Sequence, residues 1–491
     1  MATTIEHLQN LNAYVPPPVA KLALENPHQP LDGTWRRFQA VTIFADISGF
    51  TPLAEALAAN GLKGAAELNA ILNRVFETLI TTIESLGGQV VCFSGDALSL
   101  IWPCQPETLC QTAWQALQAA FAMQSTIAGF TIIPTSRGDF DIRMKIGLSA
   151  GEVLEVHAGG ERGRVEYVLA GAPMISMSQA EDLAEAGEIV VDETIWQLTN
   201  GLDLDAARRV IAAATSRHLP MPESYIFGEL AAPGFYRITH LWSRLPTTPL
   251  TYPNWSDLDD NAIVKVAATL SSYLPAAITH LSKNGHKNTP TKLRPMTVCF
   301  AGFGGIDYAD IQAGPRLHHF LRDVQKTIYR YEGNINKLNV GDKGSILLAL
   351  FGAPPLCHDD DEVRAISCAL ELGKVAARHQ LSLRIGLASG PLFLGPLGAP
   401  QRREYTVIGD MVNLAARLMQ KAENGQVLVD ESAQRQAKQF FEYQDLGRLQ
   451  VKGRTKPRRV YLALREKEQT PKQKTNYLFG QDAPYPATPL P

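Results

Sequence analysis

The sequence predicts an α+β protein made of two ferredoxin-like βαββαβ domains that face each other within one chain. Three observations carry this expectation. First, four short motifs recur in the same order in the two halves. TIFAD (42–46) pairs with TVCFA (297–301), GGQVVCFSGD (87–96) with GNINKLNVGD (333–342), RMKIGLSAG (143–151) with SLRIGLASG (382–390), and EYVLAG (166–171) with EYTVIG (404–409). The offsets drift from 255 through 246 and 239 to 238, as short deletions in one copy would produce. The repeat is therefore a duplicated domain of about 170 residues. Second, the apolar spacing within each copy switches between strand and helix in the order β-α-β-β-α-β. Third, the copies diverge in opposite directions at their polar motif positions, so each holds what the other lacks. Pairing face to face with pseudo-two-fold symmetry would make one complete site and one degenerate site.

The elements of the first copy follow from local pattern. An apolar strand (41–46) runs into the turn SGFTPL, and a helical region spans about 52–86. Leu68, Leu72, Val75, Phe76, Leu79 and Ile83 recur at three- and four-residue spacing, which buries one helix face. Two short strands, 89–94 and 97–102, are joined by Gly95-Asp96, a two-residue hairpin signal. A helix (about 108–126), a strand (142–149) and a further helix (about 173–186) complete the unit.

Composition bounds the function. At about 150 residues per domain, 491 residues make two to four domains. With 46 basic against 49 acidic residues and a net charge of -3, nothing draws the chain to nucleic acid or anionic lipid. No apolar run approaches the ~18 residues that span a bilayer. The N-terminus lacks a basic patch followed by an apolar core, so no secretory leader is expected. Six scattered cysteines make no disulfide framework. The expectation is a cytoplasmic protein with no membrane segment and no nucleic-acid partner. The domain map is an N-terminal segment (1–35), a first domain (36–204), a structured connector (205–290), a second domain (291–465) and a polar, Pro-rich tail (466–491).

Chemistry concentrates at a few motifs. Asp46 ends the strand VTIFAD, and Asp96 sits in the hairpin turn. Two carboxylates at adjacent strand ends can share hard cations such as Mg²⁺, a site type that supports phosphoryl and nucleotidyl transfer. Taken singly, Asp46 also reads as a helix cap and Asp96 as a turn residue. Ser48, Gly49, Phe50 and Thr51 open a helix whose free N–H groups suit a polyphosphate. In the second copy, Asn413 and Arg417 are four residues apart on an expected helix, so both project from one face.

FADISGFTPLAEAL followed by FSGDAL resembles the metal-binding half of a class III nucleotidyl cyclase. The second copy, with INKLNVGDKG and EYTVIGDMVNLAARL, resembles the complementary half. The overall plan is similar to the soluble, bicarbonate-responsive adenylyl cyclase type, with two unlike cyclase domains forming an intramolecular pseudo-two-fold heterodimer. The resemblance implies that Asp46, Asp96 and the carbonyl of Ile47 bind two divalent ions, Mg²⁺ or Mn²⁺. It implies that Lys337 recognises adenine with help from Thr406, that Asn413 and Arg417 orient the ribose and stabilise the transition state, and that Lys145 contacts the terminal phosphates. ATP is the implied substrate and cyclic AMP the product, with no second subunit required. The family's bicarbonate site needs a Lys and an Arg. Cys92 and Ser178 stand at those positions, so bicarbonate binding is not expected.

The first copy carries Val168, Ile175 and Gln179 where the second has Thr406, Asn413 and Arg417, and the second has Ala301 where the first has Asp46. Two alternatives stay open: a guanylyl cyclase, against which Lys337 with Thr406 argues, and a non-catalytic nucleotide-binding regulatory module. Three further features read as structural. CHDDDE (357–362) is an acidic helix start. Cys104 and Cys110 lack zinc spacing. The basic run 452–459 is a solvated hairpin turn.

Overall fold

The computed structural model describes residues 5–58, 60–130, 132–202, 224–275, 278, 292–449 and 457–468. Two short N-terminal helices, α1 (Ile5–Asn12) and α2 (Pro17–Glu25), precede the first domain. That domain runs β1 (Trp35–Ser48), α3 (Phe50–Ala58), α4 (Gly61–Ser85), β2 (Gln89–Ser94), β3 (Ala97–Cys104), α5 (Leu109–Ala128), the small ribbon β4 (Ile133–Thr135) and β5 (Gly138–Phe140), and β6 (Arg143–Gly159). It continues with β7 (Val165–Ala170), α6 (Ala172–Leu183), β8 (Ile189–Asp192), α7 (Glu193–Leu198), β9 (Ser224–Ala232) and β10 (Phe235–Ser243). A connecting helix, α8 (Asp260–Ser272), leads to the second domain. Its elements are β11 (Lys292–Gly304), α9 (Ala313–Arg330), β12 (Asn334–Gly341), β13 (Gly344–Phe351), α10 (Asp361–Arg378), β14 (Ser382–Gly398) and β15 (Arg403–Ile408). α11 (Asp410–Lys421), β16 (Val427–Asp430), α12 (Glu431–Ala437), β17 (Phe441–Leu449) and β18 (Arg458–Glu466) follow.

The two sheets have one topology. The first is ordered β2-β3-β1-β6-β8-β10-β9 with β7 on β6, and the second β12-β13-β11-β14-β16-β18-β17 with β15 on β14. The duplication read from the motifs is thus a duplication of fold. All six apolar residues singled out on α4 are buried, and Phe76 meets Phe93 of β2 edge to face at 5.5 Å between ring centres. The helical region is two helices rather than one. α3 crosses α4 so closely that a side-chain carbon on Gly64 would lie 1.8 Å from the Leu57 carbonyl, so only glycine fits there.

Three expectations are corrected. The first sheet runs past residue 204: β10 pairs with β8 and β9 with β10, so 224–243 belongs to that sheet and not to a connector. β6 extends ten residues beyond the expected strand end at 149, because past Gly151 it supplies the edge on which β7 pairs. The counterpart of Asp46 is Gly302, one residue beyond Ala301. Asp46 lies opposite Lys145, and Gly302 opposite Arg384, the equivalent of Lys145 in the repeated motif. Ala301, like Ala45, points into its domain's apolar core.

The acidic run at 357–362 does open a helix, α10, and no disulfide joins any of the six cysteines, all of which lie in the described residues. The basic residues 452–456 and the tail beyond 468 lie outside the described residues. No helix among the described residues is long and apolar enough to cross a membrane.

Outside the sheets, Asp259 caps α8 by accepting from the Ala262 amide at 2.7 Å. The apolar face of α8 (Ile263, Val266, Leu270) packs with α1 and α2 onto a core shared with Leu392, Val407 and Leu414 of the second domain. Beyond α8, the Tyr273 hydroxyl lies 2.6 Å from His157 Nδ1. His157 Nε2 lies 2.9 Å from Glu155, which also pairs with Arg36. This buried chain ties the connector to β6.

The domains pair through their sheet edges and long helices. Asn73 of α4 accepts from the Gly398 amide at 2.9 Å, and Gln325 of α9 accepts from Glu161 N and donates to Arg164 O, each at 3.0 Å. Arg402, 2 % exposed, donates to the carbonyls of Val90, Val91 and Arg403 and lies over the Phe93 ring. Removing it strands buried acceptors in the interface. Arg402→Met is expected to cost about 3 kcal/mol, read as a lowered urea midpoint. A variant that melts with the wild type would refute this role.

Candidate active site at the domain interface

The hairpin turn between β2 and β3 forms because Gly95 takes φ +75°, which leaves Asp96 at its tip. Asp46 comes beside it by strand pairing, opposite Ala97 on one side and Lys145 on the other. The Ile47 amide donates to the Asp96 carbonyl at 3.3 Å, which locks the turn onto the end of β1. Gly49 then reverses the chain at φ +92°, where a side-chain carbon would meet the Asp141 carbonyl at 2.3 Å, and α3 starts at Phe50.

Phe50, Gly95 and Asp96 of the first domain share one cavity of about 300 Å³ with residues 407–413 and Arg417 of the second. Asn413 and Arg417 sit one turn apart on α11 and both line it. Ser48 and Gly49 form the turn next to this cavity without lining it, and the Thr51 side chain lies outside the described residues. Neither Lys337 nor Thr406 lines it. Lys337 points across the interface, donating to the Phe93 carbonyl and pairing with Glu404 at 2.8 Å. Thr406, buried, donates to the side chain of Asn336 at 3.0 Å. Lys337 instead borders a second, smaller cavity of about 110 Å³ with Cys92, Arg164 and Arg402.

The electrostatics centre on the acids. Burial, then the charge of Asp46, pushes Asp96 up to about 8. Burial also raises Asp46, against the pull of Lys145 and of Lys343 from the second domain. Glu181 of α6 pairs with Lys145 at 3.2 Å and is pushed up to about 7, first by burial and then by Asp46. Repelling carboxylates held out of water favour a hard divalent cation, and the donor set is all oxygen, so the residues fit such an ion. Among the described residues no group of three or more His, Cys, Asp or Glu converges on one point. Further ligands would have to come from the backbone, the nucleotide or water.

Cys92 and Ser178 lie on the pseudo-symmetric side. The Cys92 thiol donates to Asn339 at 2.9 Å and is pushed up to about 11 by burial and then by Glu404. Ser178 donates to Asp342 at 2.7 Å. The cations around that smaller cavity are already partnered: Arg164 with Glu166, Lys337 with Glu404, and Arg402 with backbone carbonyls.

Sequence reasoning missed four residues here: Glu404, Asn336, Glu181 and Lys343. Glu404 was findable, since it lies two residues before Thr406 on the same strand face. The others meet their partners only through the tertiary fold.

A shared cavity of this make-up spans the two repeated α+β domains, and one family model matches a segment of each. The chain belongs to the adenylate and guanylate cyclase catalytic domain family. The family model matches residues 34–216 and 330–464, one segment in each repeat. Among curated proteins, human adenylate cyclase type 10 is 26% identical over 399 residues, covering 78% of this chain and 24% of that protein. The rat protein of the same name is 25% identical over the same length. The chain thus spans about a quarter of the length of these relatives. Among solved structures, a class III adenylyl cyclase-like ATP-binding protein from Pseudomonas aeruginosa superposes with a TM-score of 0.54 at 15% identity, covering 89% of this chain and 94% of that one. That likeness is one of fold. The tandem class III cyclase pair is therefore an intramolecular heterodimer of unlike domains.

The raised carboxylates make stability depend on pH. The folded state holds the Asp96 proton to about pH 8, whereas the unfolded chain releases it near 3.8. The metal-free fold therefore binds more protons across that window, and its stability falls as pH rises through it. Thermal melts of metal-free protein between pH 5 and pH 8.5 should show this fall, and Asp96→Asn should flatten it. Mn²⁺ should raise the melting temperature more at pH 8.5 than at pH 6. A metal effect independent of pH would contradict the assignment.

Proposed function

We propose that this chain is a cytoplasmic adenylyl cyclase that converts ATP to 3′,5′-cyclic AMP and pyrophosphate within one polypeptide. The observation that carries the reading is the shared cavity, in which Asp96 of one domain confronts Asn413 and Arg417 of the other. Asp46, Asp96 and the Ile47 carbonyl would hold the Mg²⁺ or Mn²⁺ pair, which supplies charge neutralisation and Lewis acidity when bound.

The chain's own residues do the rest. The turn at Ser48 and Gly49 and the first residues of α3, Phe50 and Thr51, would offer backbone amides to the triphosphate. Lys145 binds the terminal phosphates and leaves its contact with Glu181 in part to do so. Lys337, which would have to leave Glu404, the Phe93 carbonyl and the smaller cavity to do so, and Thr406 with Asn336 read the adenine edge. Asn413 orients the ribose so that its 3′-oxygen lies in line with the α-phosphorus. The 3′-oxygen forms the new bond to phosphorus as its proton leaves to solvent. The bond from the α-phosphorus to the bridging oxygen breaks, and pyrophosphate departs. Arg417 offers a planar fork of donors to the charge that grows on the phosphoryl oxygens. Positioning and electrostatics carry the rate, as in other phosphoryl transfers.

The reading includes no stimulation by bicarbonate, because Cys92 and Ser178 bring no charge to the pseudo-symmetric side and the nearby cations are spent. Mass-spectrometric assay of purified protein with Mn²⁺ and either ATP or GTP tests the proposal. Cyclic AMP formation should dominate, and 40 mM bicarbonate should leave the rate unchanged. Arg417→Ala should cost on the order of 10²-fold or more in turnover, and Asp46→Asn should abolish it. Cyclic GMP as the main product would make it a guanylyl cyclase. ATP binding with no cyclic product would make it a regulatory nucleotide-binding module.

A further inference from the structure

Toward the end of α6, Ser178, Glu181 and Asp182 stand at the three- and four-residue spacing of one helical turn, which puts side chains side by side. Two of them grip the other domain. Ser178 donates to Asp342 at 2.7 Å, and Asp182 pairs with Lys343 at 3.2 Å, so the tip of the β12–β13 hairpin is docked on this turn. The third, Glu181, is 6 % exposed and faces inward to pair with Lys145. Lys145 stands directly opposite Asp46 in the sheet.

The second domain supplies a contrast. A side-chain carbon on Gly147 would touch the Glu181 amide, and one on Gly386 would touch the Met419 amide, so Met419 is the counterpart of Glu181. Met419 is buried against Gly302, the residue at Asp46's place. Where the sheet carries no acid, the helix position is apolar. Where the sheet carries Asp46, with Lys145 opposite, it is a carboxylate. Packing alone does not call for a charge there, since methionine fills the same place in the twin.

We propose that Glu181 is the positioning residue for Lys145, holding its ammonium group at the phosphate end of the site, and that the docked hairpin tip fixes the turn from which it does so. This rests on the reading of Lys145 as a phosphate-binding residue. Without the carboxylate, Lys145 is a flexible side chain beside two acids, and it collapses onto Asp46. The ion pair keeps it extended and ready for a more highly charged partner.

Pyrophosphate isolates the phosphate end, because it lacks base and ribose. Its binding to the full chain in the presence of Mn²⁺, measured by calorimetry, should weaken about tenfold in Glu181→Gln. Glu181→Met, which keeps the packing of the twin domain, should weaken it equally, and Glu181→Asp should restore part of the loss. Adenosine, which lacks phosphate, should bind all four proteins alike. In Lys145→Ala the further change Glu181→Gln should have no effect, since its target is gone. Lys145→Ala without effect on pyrophosphate would overturn both this inference and the phosphate role of Lys145. A loss in Lys145→Ala with none in Glu181→Gln and Glu181→Met would overturn the inference alone. Equal losses for pyrophosphate and adenosine would assign Glu181 a general structural role and overturn it as well.

Discussion

The structure depends on how the free edge of the first sheet is covered. β2 is an edge strand, and an edge presents N–H and C=O groups that must be satisfied once buried. Another strand does not do this. Side chains of the second domain do: Arg402 takes the carbonyls of Val90 and Val91, Lys337 takes that of Phe93, and Glu404 accepts from the Phe93 amide. Separating the domains would leave those groups, a buried guanidinium and a paired lysine to be rehydrated together. The two domains are therefore one folding and functional unit. The strand held in this way is the one that carries the Gly95-Asp96 turn, so interface geometry and acid geometry are set by the same contacts.

The acids illustrate a second constraint. Asp46, Asp96 and Glu181 are gathered in one partly buried region, with Lys145 beside them and Lys343 reaching in from the other domain. Desolvation outweighs these cations, since all three carboxyls are held above their ordinary range. A region with this balance is stabilised by whatever brings positive charge to it. Proton, lysine and divalent ion compete for the same oxygens, and the outcome depends on which of them a nucleotide can accompany.

Much of this was legible in the sequence, and what was not has physical reasons. The duplicated fold could be read because the motifs sit on strands whose glycines and turns tolerate little change, such as Gly95 and the pair Gly147 and Gly386. The hairpin β9–β10 was missed because it shares no motif with its counterpart β17–β18. Strand pairing there is made by backbone, and two ribbons of unlike sequence serve equally well. The Asp46 counterpart was displaced by one residue because motif alignment cannot see sheet register, whereas a shift of one turns a side chain from core to site. Asn413 and Arg417 were readable together because helical spacing is local. Glu404 shares a strand face with Thr406 and so could be suspected, but its pairing with Lys337 on a strand not hydrogen-bonded to its own, like that of Glu181 with Lys145 across a helix–sheet contact, is set by the tertiary fold.

The degenerate side is closed by a change in length as well as by lost side chains. In the first domain the hairpin turns immediately after the pair Ser94 and Ala97, and Ala97 lies opposite Asp46. In the second, Ile346 is the residue opposite Gly302, and the strands continue two residues further to turn at Asp342 and Lys343. The extra length carries the tip onto α6, where Ser178 and Asp182 receive it. On the opposite side the short hairpin stops level with α11 and leaves a cavity between Asp96 and Arg417. One duplicated hairpin thus has two outcomes: short, it frames a cavity, and long, it braces a helix. The brace falls on the helix whose Glu181 reaches back to the acids of the open side, so the closed half of the molecule contributes to the geometry of the half that stays open.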